Sequence, residues 1–216
     1  MKTTTLRLAL ALVFCATLAT VSAQQIANDL NGKLVSLRGH SALPANTPDL
    51  PQAKYIALYF SAGWCGPCHQ FTPKLVDFYK EMKTKHPDFE VIFMNRDESP
   101  NEMEKYMAEM SMPWPALRYG AVKSDRALNK YCGSGIPDLV VLNEKGDILS
   151  DSFAGKTYLG PYKVMDDLRK MLSEGSSEVA SAASASSAAL PAASPAGTVG
   201  SPSGTDWDKT FKHKSP

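Results

Sequence analysis

The chain has 216 residues, 44% of them hydrophobic, and 23 Lys and Arg stand against 22 Asp and Glu for a formal net charge of +1. That length fits one domain with appendages or two domains. Near-neutrality without a basic stripe excludes the electrostatic footprint of a nucleic-acid binder.

The first 23 residues do not read as core. Lys2 and Arg7 precede the apolar run Leu8 to Phe14, and Val21-Ser22-Ala23 closes the segment. This is the layout of a secretory signal with an Ala-x-Ala-like site, so cleavage is expected before Gln24 and the protein is expected to be exported, periplasmic or secreted. The run is too short for a membrane span, and no later segment approaches the ~20 apolar residues that one needs. Cys15 would suggest a lipid-modified N-terminus, but Phe14 is too bulky for the small residue such processing requires. Losing Lys2 and Arg7 with the signal leaves 21 basic against 22 acidic residues.

Residues 24–173 carry the patterns of a folded domain. Lys54 to Phe60, rich in Tyr, Ile and Phe, reads as a strand. After Cys65 and Cys68, the residues Phe71, Leu75, Phe78 and Met82 recur at spacings of 4, 3 and 4, one face of a helix. Phe89 to Met94 is a second apolar strand. Pro100 to Ser111 is helical in pattern, opened by Ser99 as N-cap. Leu139 to Leu142 and Ile148 to Phe153 flank the polar, Gly-containing turn Asn143 to Asp147, a hairpin. Tyr158 to Leu172 is a last amphipathic helix. This order predicts an α/β fold with a central mixed β-sheet flanked by helices. Residues 174–204 are Ser, Ala, Pro and Gly with few large apolar groups, which predicts a disordered linker. Residues 205–216 add Trp207, Phe211 and three lysines, a solvated end or a short docking peptide.

Cys65-Gly66-Pro67-Cys68 holds the chemistry. Where an apolar strand gives way to a helix, two cysteines at this spacing make a reversible redox couple. Cys65 would start the helix, where unpaired N–H groups and the helix dipole favour a thiolate. Cys68, one turn on, would resolve a mixed disulfide. Gly66 allows the tight turn, and Pro67 sits in the first helical turn, where its missing N–H costs nothing. Two other readings exist. Cys65-Gly66-Pro67-Cys68-His69 fits covalent haem attachment with His69 as iron ligand, but the sequence offers no haem pocket. Zinc held by Cys65, Cys68, His69 and Cys132 would need adjacent residues to converge from a helix, and no second close ligand pair exists. No cofactor and no metal are therefore expected, and His69 reads as a surface residue with an electrostatic effect on the cysteines. Cys132 is either a small hydrophobe beneath the Leu128 helix or a third thiol near the active face.

Several further pieces accompany the motif. They are Tyr59-Phe60-Ser61-Ala62 before Trp64-Cys65, Phe71-Thr72-Pro73 after Cys68, Arg96-Asp97-Glu98 closing a strand, Met112-Pro113-Trp114 and Gly135-Ile136-Pro137. From about residue 33 to 173 the chain thus resembles the tryparedoxin and nucleoredoxin branch of the thioredoxin superfamily. The resemblance implies a thioredoxin-like sandwich acting as a thiol–disulfide oxidoreductase. It makes Pro137 a cis-proline facing the motif, with the Ile136 backbone pairing to an incoming peptide and Trp64, Gly66 and Pro67 completing the groove. The branch usually has Pro-Pro between its cysteines, and here stands the Gly-Pro of thioredoxin. Tyr59 replaces thioredoxin's buried aspartate, as in the tryparedoxin branch. Asp138 follows Pro137 where threonine is common.

These departures set the remaining expectations. Without a buried acid before the motif, Asp97 and Glu98 are candidates to handle the Cys68 proton, or else solvated acids capping the next helix. Asp138 either lies near the groove, raising the Cys65 pKa and favouring basic substrate segments, or points to solvent. The Gly-Pro dipeptide favours reduction or isomerisation of disulfides in exported proteins by a monomer, with a membrane electron relay as reductant. The alternative is a non-catalytic binding module with an inert disulfide.

Overall fold

The computed structural model describes residues 25–187. The expected signal segment, the rest of the linker and the segment 205–216 lie outside the described residues. Seven strands, β1 (Leu34–Arg38), β2 (Ser41–Pro44), β3 (Tyr55–Ser61), β4 (Phe89–Asn95), β5 (Ala116–Leu117), β6 (Asp138–Leu142) and β7 (Ile148–Asp151), form one sheet in the order β2-β1-β5-β4-β3-β6-β7. β3 runs parallel to β4 and antiparallel to β6, so the sheet is mixed. β8 (Phe153–Ala154) and β9 (Thr157–Tyr158) form a separate two-stranded ribbon. The helices are α1 (Gln25–Leu30), α2 (Gly66–Lys85), α3 (Pro100–Glu109), α4 (Tyr119–Ser124), α5 (Arg126–Asn129) and α6 (Pro161–Ser187).

Both faces of the sheet are covered, which is why β3 and β4 read as unbroken apolar runs. Ala57, Tyr59, Val91, Phe93, Leu139 and Val141 cluster with Phe71, Leu75 and Phe78 of α2 and with Val164, Leu168 and Leu172 of α6. Ile56, Leu58, Phe60, Ile92, Val140 and Leu142 cluster with Ile26 and Leu30 of α1 and with Val122 and Leu128. The thioredoxin-like sandwich expected from the sequence is the fold.

The differences are local. α1, the β1–β2 hairpin, β5, α4 and α5 are too short to show a period in the sequence. β7 stops at Asp151 because Ser152 N–H donates to the Leu139 carbonyl (3.0 Å) while the Asp151 carboxylate takes the Phe153 N–H (2.8 Å), turning the chain into β8. α6 starts at Pro161 and not at Tyr158, since Gly160 adopts φ 85° and Pro161 suits a first helical turn. α3 ends before Ser111, which takes a left-handed φ of 51°. The boundary expected at residue 173 is not a helix end: α6 continues to Ser187, because a Ser/Ala sequence can propagate a helix that packing has already nucleated.

The chain divides into two units, residues 1–177 and 178–216. The first holds the whole sheet; of the second, only the helical residues 178–187 are described. Among the described residues no helix is long and apolar enough to cross a membrane.

At the start of α3 the Ser99 hydroxyl accepts the Glu102 N–H (3.2 Å) and the Glu102 carboxylate accepts the Ser99 N–H (3.1 Å), a reciprocal capping box. Urea unfolding of Ser99→Ala should show a loss of about 1 kcal/mol. Phe93→Ala, which empties a fully buried site, should cost roughly 3–5 kcal/mol in the same measurement.

Candidate active site at the start of helix α2

Cys65 and Cys68 are joined as a disulfide with their Cα atoms 5.2 Å apart. Cys65 is the N-cap of α2, and its sulfur lies 3.2 Å from the Cys68 N–H that points at it. Pro67 falls in the first turn, as expected. Cys68 is fully buried, Cys65 is nearly so, and Gly66 and Pro67 are exposed. Trp64 is 66% exposed, and its indole N–H reaches the Arg96 carbonyl at 3.4 Å. The Ile136–Pro137 bond is cis, and the Ile136 carbonyl oxygen is 3.8 Å from the Cys65 sulfur. The turn between α5 and β6 therefore does face the motif.

The loop carrying Trp64 and Cys65 is fixed at Gly63. Asp97 accepts the Gly63 N–H (2.8 Å), and His69 Nε2–H donates to the Gly63 carbonyl (2.6 Å). A Cβ on Gly63 would lie 3.2 Å from Tyr106, so glycine permits this close approach. His69, expected at the surface with an electrostatic effect on the cysteines, is half-buried and engaged with Gly63. It is not placed for the zinc arrangement: two sulfurs of that set are bonded to each other, and its Nε2 is committed to Gly63. Asp97 is buried, and one of its oxygens has no partner among the described residues. Burial raises its carboxyl above the usual range, against the pull of the Gly63 N–H and His69. Glu98 is exposed; its backbone N–H is taken by Glu102.

Beneath Cys68 lies a group of hydroxyls that the sequence did not single out. Thr72 donates its one hydroxyl hydrogen to the Cys68 carbonyl (2.8 Å). It must therefore accept from both Tyr59 (2.8 Å) and Tyr106 (2.8 Å). Tyr106, having spent its hydrogen, accepts from Ser61 at 2.9 Å. Burial holds the Tyr59 phenol above its ordinary range, so Tyr59 stays neutral. The residues were visible in Ser61 and in Phe71-Thr72-Pro73, but only the fold brings Tyr106 beside them.

Asp138 does not point to solvent, the second of its two expected placements; it is fully buried, in register with Phe60. One oxygen accepts the Gly133 N–H at 2.8 Å, and the other has no partner among the described residues. Burial pushes its carboxyl from the ordinary 3.8 up to about 6, the Gly133 N–H opposing and Asp151 adding. Cys132 is half-buried and packs against the cluster that contains Leu128. Burial pushes its thiol up, Arg96 opposes this and Asp138 adds to it.

A family model described as thioredoxin-like matches residues 52–148. Probable nucleoredoxin 1 of Arabidopsis thaliana is 35% identical over 133 residues, covering 61% of this chain and 22% of that protein. Nucleoredoxin of Homo sapiens is 35% identical over 100 residues, covering 46% of this chain and 22% of that protein. The chain thus spans less than a quarter of the length of these two relatives. Tryparedoxin I from Leishmania major is 33% identical, with 57% of this chain and 81% of that one covered and a TM-score of 0.48. A mutant tryparedoxin-I is 28% identical, with 66% and 92% covered and a TM-score of 0.50.

Because the Asp138 pKa is raised on folding, the folded protein holds a proton between pH 3.8 and about 6 that the unfolded chain has released. The stability contributed by this protonated group is fully present below that window and is lost as pH rises through it. Asp138→Asn should flatten the difference, unfolding with less pH dependence from about pH 4 to 6 and gaining roughly 1–3 kcal/mol at pH 7. Urea titrations of both proteins across this range give the comparison.

Proposed function

The chain belongs to the thioredoxin-like superfamily, in its tryparedoxin and nucleoredoxin branch, and on that premise we propose that it is an exported thiol–disulfide oxidoreductase that reduces or isomerises disulfides of exported proteins. The observation that carries the reading is the Cys65–Cys68 disulfide at the helix start, with the Ile136 carbonyl 3.8 Å from the Cys65 sulfur. The pattern of residues 1–23 supports export, and the Gly-Pro dipeptide supports reduction over disulfide formation.

In the reduced protein Cys65 is the nucleophile. The α2 N-terminus and the Cys68 N–H stabilise its thiolate. It attacks one sulfur of a substrate disulfide, that bond breaks, and one substrate thiolate leaves. Cys68 gives up its proton and attacks the Cys65 sulfur of the mixed disulfide, releasing the second substrate thiolate. Two electrons pass to the substrate, its two thiolates take up two protons, and Cys65–Cys68 is left oxidised. Asp97, whose burial favours the protonated form, is better suited than exposed Glu98 to take the Cys68 proton. A membrane electron relay returns the pair to the dithiol. The protein acts as a monomer through a groove formed by Trp64, Gly66, Pro67, Ile136 and Pro137.

Insulin reduction in the presence of dithiothreitol tests the activity. Cys65→Ser should abolish turnover, and Cys68→Ser should accumulate substrates as mixed disulfides. More trapped complexes with Cys65→Ser would reverse the assigned roles, and an inactive wild type would favour a binding module. Expressed with its leader in a secreting host, the mature protein should begin at Gln24 by N-terminal sequencing.

A further inference from the structure

The turn facing the disulfide is held from outside the main sheet. Tyr158, on β9, donates its hydroxyl to the Pro137 carbonyl at 2.8 Å. Its ring packs on Phe153 of β8 with centroids 5.0 Å apart. Phe153 in turn fills the space beside both glycines of the turn: a Cβ on Gly133 would fall 2.3 Å from its ring, and one on Gly135 would fall 3.8 Å away. The β8–β9 ribbon therefore clasps residues 133–137 at both ends. From the interior, Asp138 holds the Gly133 N–H.

Tyr158 is the clasp residue that reaches the surface, at 49% exposure. Tyr162, 50% exposed, stands edge-on to Phe71 with centroids 5.0 Å apart, three residues beyond Cys68. The Ile136 N–H makes no hydrogen bond with the described residues. Its carbonyl faces the Cys65 sulfur. An extended segment whose cysteine meets Cys65 thus finds an unpaired peptide edge at Ile136, with aromatic surface beside it.

We propose that Tyr158 is a positioning residue for disulfide exchange, tying the Pro137 carbonyl to β9 so that the Ile136 peptide edge stays in place for an extended, apolar substrate segment. This rests on the oxidoreductase reading. Slack in the turn would weaken pairing of the segment at Ile136 but would leave the sulfur chemistry of Cys65 and Cys68 untouched. Burial and the charge of Asp138 both hold the Tyr158 phenol above its ordinary range, so it remains a donor at working pH. The half-exposed ring would add apolar contact to the segment.

The test compares full-length wild type, Tyr158→Phe and Tyr158→Ala on insulin and on the small disulfide 5,5′-dithiobis-(2-nitrobenzoate), which is too short to pair with the turn. Losing the hydroxyl should raise the KM for insulin about five-fold, with kcat and melting temperature little changed. The small disulfide should show a change of less than about two-fold. Tyr158→Ala should raise the insulin KM further. An unchanged KM in Tyr158→Phe, or a parallel loss on both substrates, would overturn the proposal. Hydrogen exchange of the amides of residues 133–136 and 138 gives a readout independent of activity: it should speed up in Tyr158→Phe, and identical exchange would also sink the idea. If wild type reduces neither substrate, the oxidoreductase reading has failed, and the exchange data alone decide whether Tyr158 positions the turn.

Discussion

β3 pairs with β6 in one antiparallel register, Tyr59 opposite Leu139 and Phe60 opposite Asp138, while running parallel to β4 on its other edge. Everything at the active site depends on that register. Side chains alternate across the sheet, so Tyr59 and Leu139 meet α2 and α6, whereas Phe60 and Val140 meet the opposite cluster. β3 ends at Ser61 just where β6 begins, and the two turns beyond them, one bearing Cys65 and the other Pro137, emerge at the same end of the sheet. A slip of one residue would exchange the faces, removing the Tyr59 hydroxyl from Thr72 and leaving the Ile136 carbonyl without its sulfur.

The polar groups around the disulfide follow from the same constraint. Tyr59 stands where thioredoxin has a buried acid and offers a donor that does not ionise at neutral pH. Its hydroxyl and that of Tyr106 converge on Thr72, which holds the Cys68 carbonyl. The next residue, Pro73, lies inside α2 and has no N–H for the His69 carbonyl. The first turns of α2 are thus held by side chains where proline interrupts the backbone ladder. The titratable side chains Asp97 and His69 stand one layer out, both committed to the Gly63 peptide. The unpaired Asp97 oxygen and Asn95 Nδ2 lie in this layer, too. Natural chains tolerate such unsatisfied groups most readily near functional sites.

Much of this was legible in the sequence, and the remainder was hidden for definable reasons. Cys65, Cys68 and the face Phe71, Leu75, Phe78 and Met82 are local patterns, and they appear as read. The cis bond at Pro137 came from resemblance; no local rule gives it. Asp138 was read as lying near the groove or facing solvent; its burial could not be seen, because the sequence did not show that strand alternation turns it inward beside Phe60. His69 was read as a surface residue at the end of the motif, without the Gly63 carbonyl that folds back to it. Tyr106 and Tyr158 could not be found, since each acts through a partner 21 to 34 residues away. The two-residue strands β5, β8 and β9 are too short for any periodicity to register.

The two described tryptophans sit in opposite surroundings. Trp64 is in water beside the disulfide sulfur of its neighbour, while Trp114 is enclosed in the core between the rings of Tyr59 and Tyr79. An indole's emission responds to solvent and to quenching by an adjacent disulfide. The described residues therefore carry two separate optical reporters. One follows the oxidation state of the cysteines in the folded protein, and the other follows loss of the core. With Trp64 and Trp207 replaced by phenylalanine, fluorescence would track unfolding with little redox signal; with Trp114 and Trp207 replaced, it would track electron transfer.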